Sequence, residues 1–269
     1  MAIYPCHPKR AQRPFVMGYT GQRIFTLEEL CYFMTNHLTL LGEDVINEAL
    51  CDWLRDELGL AQLAAKLLAL LEEYEHLEDF VYLIVREAGY TDIEEWKQIR
   101  ERLAALNTLD EWQKEKLRAD DILRLNRFQR AAASYRKLLR RKDAQLTVTE
   151  AELAKVYHNL AVTQLYTFEY EEATENFLQA YRLGQRIEYL IKGLFVMRMM
   201  VSEGRYQAFI HENIVPSDVR HMLDEKKAHF LIVSEQEAQE KADTLMRRGE
   251  RNRIHEMIQG WKQAYAVQK

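Results

Sequence analysis

Proline is nearly missing from this sequence. The four prolines fall at positions 5, 8, 14 and 216, so nothing between Phe15 and Val215 removes a backbone donor or forces a helix to kink. Glycine is also sparse, ten in 269 residues, which argues against the many turns of an all-β chain. The three cysteines, Cys6, Cys31 and Cys51, are odd in number and widely spaced. That argues against a disulfide framework and fits a reducing compartment, so the cytoplasm is the expected location. No run approaches the roughly 18 apolar residues of a membrane span, and the first 24 residues hold no apolar leader segment. No membrane contact is expected.

Catalytic signatures are absent too. There is no nucleophile elbow, phosphate-binding glycine loop, HExxH or paired CxxC. One Glu-x-x-His occurs, Glu73 to His76, whereas a di-iron bundle needs two such motifs and two further glutamates. Cys6-His7 has no second pair at zinc-ligand spacing. The expectation is therefore a chain that is not an enzyme and carries no metal or cofactor.

What is present is a large apolar fraction, 48% of residues, enough for a substantial core. Charge is segregated along the chain. Residues 25–113 carry 6 Lys/Arg against 20 Asp/Glu, and residues 114–142 carry 11 against 3, within a net charge of −5. Such alternation reads first as intramolecular docking or solubility and second as a polyanion site.

Five hydroxyl–acid pairs at capping-box spacing predict helix starts: Thr26/Glu29, Thr91/Glu94, Thr108/Glu111, Thr149/Glu152 and Ser234/Glu237. Apolar residues at three- and four-residue intervals predict helices over Leu27–Leu41, Glu43–Leu58, Leu60–Tyr74 and Leu77–Ala88. Further helices are expected over Glu111–Leu125, Asn126–Arg141, Ile187–Val201, Arg205–Ile214, Ser217–Val233, Ser234–Arg248 and Glu250–Val267. The fold class is all-α. Four segments are expected: a basic, proline-containing extended arm (1–24) with a turn at Gly18–Gly21, an acidic helical region (25–107), a repeat body (108–215) and terminal helices (216–269).

The stretch Ala154–Arg186 carries the most specific pattern. Counted from Ala154, an aromatic falls at the fourth position (Tyr157), then Leu160 and Ala161, then Tyr170, Ala173, Phe177 and Ala180. This resembles a tetratricopeptide (TPR) repeat, a helix pair of about 34 residues. Gln164 and Gln185 stand where the family usually has an aromatic and a proline. Weaker matches cover 112–141 and 187–214. In the former, Phe128, Ala131, Tyr135 and Leu138 correspond to Tyr170, Ala173, Phe177 and Ala180, an offset of 42 residues.

The resemblance implies a short right-handed superhelix whose first helices line a concave groove. It places Lys155, His158, Asn159, Val162, Leu165 and Tyr166 in that groove, where they would meet a partner peptide or helix. The implied function is a non-catalytic protein–protein adaptor or scaffold. The alternative is a nucleic-acid-associated or regulatory protein that uses the basic stripe Arg124, Arg127, Arg130, Lys137 and Arg141, alongside the basic tail at 247–253. Homo-oligomers, formed by docking acidic on basic segments, are a third reading.

Overall fold

The computed structural model describes residues 9–72, 77–141, 148–212 and 215–247. Cys6-His7, the Glu73–His76 motif, the expected helix Glu250–Val267 and most of the basic tail lie outside them. Among the described residues the chain is all-α, with twelve α-helices and one small hairpin. It divides into two compact units between Gly193 and Leu194.

The arm opens the first unit as a hairpin, β1 (Phe15–Val16) paired antiparallel with β2 (Arg23–Ile24). Gly21 N–H donates to Met17 O at 2.7 Å, and Gly21 takes φ +66°, a left-handed turn that glycine adopts without a Cβ clash. Phe15 and Ile24 are buried while Val16 and Arg23 face out, the two-residue alternation of a strand with one covered face. The arm is pinned on both sides. Glu57 accepts the Gln12 and Arg13 amides at 2.9 and 3.0 Å, Trp53 Nε1 donates to Arg13 O at 2.8 Å, and the Phe15 and Trp53 rings pack together.

Five helices follow: α1 (Leu27–Asn36), α2 (Glu48–Asp56), α3 (Ala61–Glu72), α4 (Leu77–Glu87) and α5 (Ile93–Asn107). Their inward stripes bury Phe33, Met34, Leu50, Leu54, Leu67, Phe80 and Ile84 almost completely. Two of them are shorter than the periodicity predicts. Helix α1 stops at Asn36 instead of Leu41, where Thr35 Oγ1 and Asn36 Nδ2 donate to the carbonyls of Cys31 and Tyr32 and close the last turn; a 3-10 turn, Leu38–Leu40, follows. Helix α2 starts at Glu48, not Glu43, because Asn47 caps the Leu50 amide.

The repeat body consists of α6 (Glu111–Arg124), α7 (Phe128–Leu139), α8 (Glu150–Tyr166) and α9 (Tyr170–Gly184). The 42-residue offset holds in three dimensions. Ala119 and Ala161 are both fully buried, as are Ala131 and Ala173, and Tyr135 and Phe177. The connecting turns match bond for bond. Arg127 N donates to Ile122 O as Glu169 N does to Gln164 O, and Asn126 N to Leu123 O as Phe168 N does to Leu165 O. Asn126 and Phe168 both sit in the left-handed region, at φ +57° and +64°. The alanines let paired helices approach closely, and the large aromatics fill the space between successive pairs. Gly184 marks another close approach, since a Cβ there would lie 2.8 Å from the Ala154 Cβ.

Of the predicted helix starts, Thr149/Glu152 forms a full capping box. Thr26 caps the Glu29 amide, but the Glu29 carboxylate accepts from Phe25 N–H instead of Thr26. Asp92/Glu95 replaces Thr91/Glu94, and Asp110/Gln113 replaces Thr108/Glu111. The Thr108 hydroxyl is already spent on Ala105 O at the end of α5, which leaves the carboxylate two residues on to do the capping. We expect Thr149→Ala to lower stability by about 1 kcal/mol in urea unfolding, with Thr149→Ser near wild type.

Helix α10 (Ile187–Met200) spans the division between units, and α11 (Glu203–Glu212) and α12 (Ser217–Arg247) belong to the second. That unit buries Leu194, Tyr206, Ile210, Val219 and Leu223. The Arg198 guanidinium lies 5.1 Å from the Tyr206 ring centre and pairs with Asp224. Ser234/Glu237 starts no helix. It lies inside α12, because no glycine or proline separates the two helices expected there, and Phe230–Val233 is helical as well.

Candidate interaction site

The predicted groove residues all lie on α8, and the structure divides them into exposed and engaged groups. Lys155 and Tyr166 are exposed, Val162 and Leu165 half-buried. His158 and Asn159 are held in a polar chain that crosses α6, α8 and α10. Lys192 Nζ lies 2.7 Å from His158 Nε2, His158 Nδ1 lies 3.0 Å from Asn159 Oδ1, and Asn159 Nδ2 donates to Asp120 Oδ1 at 2.9 Å. Asp120 also accepts from the Tyr135 hydroxyl and from Lys116 Nζ, both at 2.6 Å.

These contacts fix the donors. An ammonium only donates, so Nε2 of His158 accepts from Lys192, and Nδ1 carries the hydrogen given to Asn159. The chain of donors therefore runs one way, from Lys192 to Asp120. His158 is also packed between rings, 4.8 Å from Tyr189 and 5.5 Å from Phe177.

Burial lowers the His158 pKa below the ordinary histidine value; the Asn159 bond opposes this, while the Lys192 and Arg186 charges add to it. His37 is lowered in the same direction, again mainly by burial, with Asp121 opposing and Arg124 and Arg102 adding. A histidine with a lowered folded pKa stabilises the fold above its unfolded pKa, and that contribution is lost as the pH falls. We expect the urea midpoint to drop as the pH falls below about 6.5. His158→Gln should flatten that dependence in part, with His37 supplying the rest.

The basic stripe is largely consumed within the fold. Arg124 pairs with Asp121, and Lys137 and Arg141 converge on Glu115 at 3.1 and 3.0 Å. Arg130 Nη1 donates to Gly18 O at 2.9 Å. Neighbouring Arg136 pairs with Glu169. Arg127 is exposed and, among the described residues, forms no ion pair.

Sequence reasoning did not single out Asp120 or Lys192, and it placed Tyr135 only as a packing residue of the repeat. Their signal is weak, since Asp120 reads as a stray acid in a basic segment and Tyr135 as core. Burial pushes the thiols of Cys31 and Cys51 up, Cys51 to about 11, so neither is a thiolate nucleophile at neutral pH. Among the described residues no group of three or more His, Cys, Asp or Glu is placed to hold a metal ion, and no helix is long and apolar enough to cross a membrane. No family model, curated protein or solved structure matches the chain.

Proposed function

We propose that this chain is a non-catalytic adaptor of TPR-like design that holds a peptide or helix of a partner protein along the first helices of its repeats. The observation that carries this reading is the 42-residue repetition of burial and turn bonding between α6–α7 and α8–α9. Stacked helix pairs with a continuous core leave one face of each first helix for recognition. On α8 that face offers Lys155, Val162 and Leu165, a cation beside apolar surface. The polar chain through His158 and Asn159 acts as a rigid floor, because each of its side chains is oriented by the next.

The test is capture of protein partners from a native lysate by immobilised wild type, Lys155→Glu and Val162→Asp. Circular dichroism and the thermal midpoint of each variant establish that it is folded. The expected result is a protein retained by wild type and lost by both folded variants. Equal retention by all three would remove the α8 face as the functional surface.

A further inference from the structure

The two repeat turns flank an open cleft of about 440 Å³ whose lining includes Asn126, Arg127, Phe128, Arg130, Tyr166 and Phe168. Its aromatic content is unusual for a turn. Phe128 and Tyr166 are stacked face to face, their centroids 4.0 Å apart and planes 6° from parallel. Tyr166 is 60% exposed and Phe168 76% exposed, so one flank of this stack is open to solvent. Among the described residues no carboxylate lines the cleft; of its two arginines, Arg130 donates to Gly18 O and Arg127 forms no ion pair.

The Phe168 backbone points the same way. It occupies the left-handed region, which disfavours a bulky side chain, and its counterpart one repeat earlier is Asn126, a residue that tolerates that conformation. The chain thus keeps a strained, solvent-facing phenylalanine where its own first repeat has the easier residue. Strain of this kind, at an exposed position beside an open cleft, is characteristic of ligand sites.

We propose that this cleft binds a planar aromatic ring that carries a phosphate, the chemistry of a single nucleotide unit. The ring stacks on Tyr166 and against Phe168, and the Arg127 guanidinium meets the phosphate bidentately. The phosphate and the ring each need their own partner, and the cleft supplies both, Arg127 for the one and Tyr166 with Phe168 for the other. The source is either a free nucleotide or one residue of a single strand. The site takes Tyr166, which the sequence places at the end of the groove, and lies about 16 Å along α8 from Lys155 at 1.5 Å per residue.

The experiment is titration of the full chain with adenosine 5′-monophosphate, with a single-stranded dodecamer RNA and with inorganic phosphate, read by heteronuclear NMR and fluorescence anisotropy. Binding should shift the amides of residues 126–130 and 166–168. Tyr166→Ala should weaken it about tenfold or more, and Arg127→Glu should abolish it. A single phosphate contact gives a shallow salt dependence, with affinity falling less than about twofold when salt is doubled. Phe168→Asn provides an independent check, because it should raise thermal stability by relieving the left-handed strain and yet weaken binding.

Binding of the mononucleotide identifies a free nucleotide as the source, and binding of the dodecamer alone identifies a strand. Equal competition by inorganic phosphate, RNA binding indifferent to Tyr166→Ala, or no binding of either probe at millimolar concentration would each overturn the proposal. Loss of partner capture in Lys155→Glu with nucleotide binding intact would show the two sites failing separately.

Discussion

Phe177→Ala should cost about 4 kcal/mol of stability, the largest effect expected of any single truncation in the repeat body. Phe177 is fully buried. It sits where α8, α9 and α10 meet, with the His158 ring edge-on to its own and the backbone at Gly193 so close that a Cβ there would lie 3.1 Å from the Phe177 Cβ. A cavity at this point cannot collapse easily, because each wall is a helix held by other contacts, and the cost of truncation rises with the volume left empty. Phe177→Leu should recover most of the loss. The measurement is urea unfolding followed by circular dichroism, and a loss below about 1.5 kcal/mol would mean that the helices close over the gap.

Asp120→Ala is expected to cost about 3 kcal/mol for a different reason. The substitution removes little apolar contact but strands three donors. The Lys116 side chain is 17% exposed and can turn its ammonium to water. The hydroxyl of Tyr135, a residue with no exposed area, does not, and Asn159 loses the acceptor that orients its amide. Tyr135→Phe removes one of the stranded donors, so Asp120→Ala in a Tyr135→Phe background should cost clearly less than in wild type. Additive effects would show that the hydroxyl finds another acceptor and that the polar chain is not a unit.

Much of this fold was legible in the sequence, and what was not follows from chain separation. The correspondence of Ala131 and Tyr135 with Ala173 and Phe177 was readable because one helix pair repeats the spacing of another. The Gly18–Gly21 turn and the Thr149 capping box were readable because their bonds close within three or four residues. Periodicity says which face of a helix turns inward and nothing about which side chain it meets there. Asn159 and Asp120 are 39 positions apart and Lys192 and His158 are 34 apart, so their contact depends on how whole helices stack. The charge pattern was legible only in outline, as intramolecular pairing. The excess of arginine and lysine over 114–142 did not say which acids would be met, and Lys137, Arg141 and Arg124 find Glu115 and Asp121 within their own segment.

The hairpin arm has a consequence for the order in which the chain assembles. Its bonds to Glu57 and Trp53 close loops of 40 to 45 residues, and its bond from Arg130 to the Gly18 carbonyl closes one of 112. Much of the packing in this region is between helices adjacent in sequence, such as α2 with α3 and α6 with α7, and such contacts form sooner than so distant a closure. During synthesis the arm emerges 112 positions ahead of Arg130, so its bond to that residue waits until α7 has been made. The arm is thus made before the helix it is tied to, and its place on the body is fixed only once that helix is present.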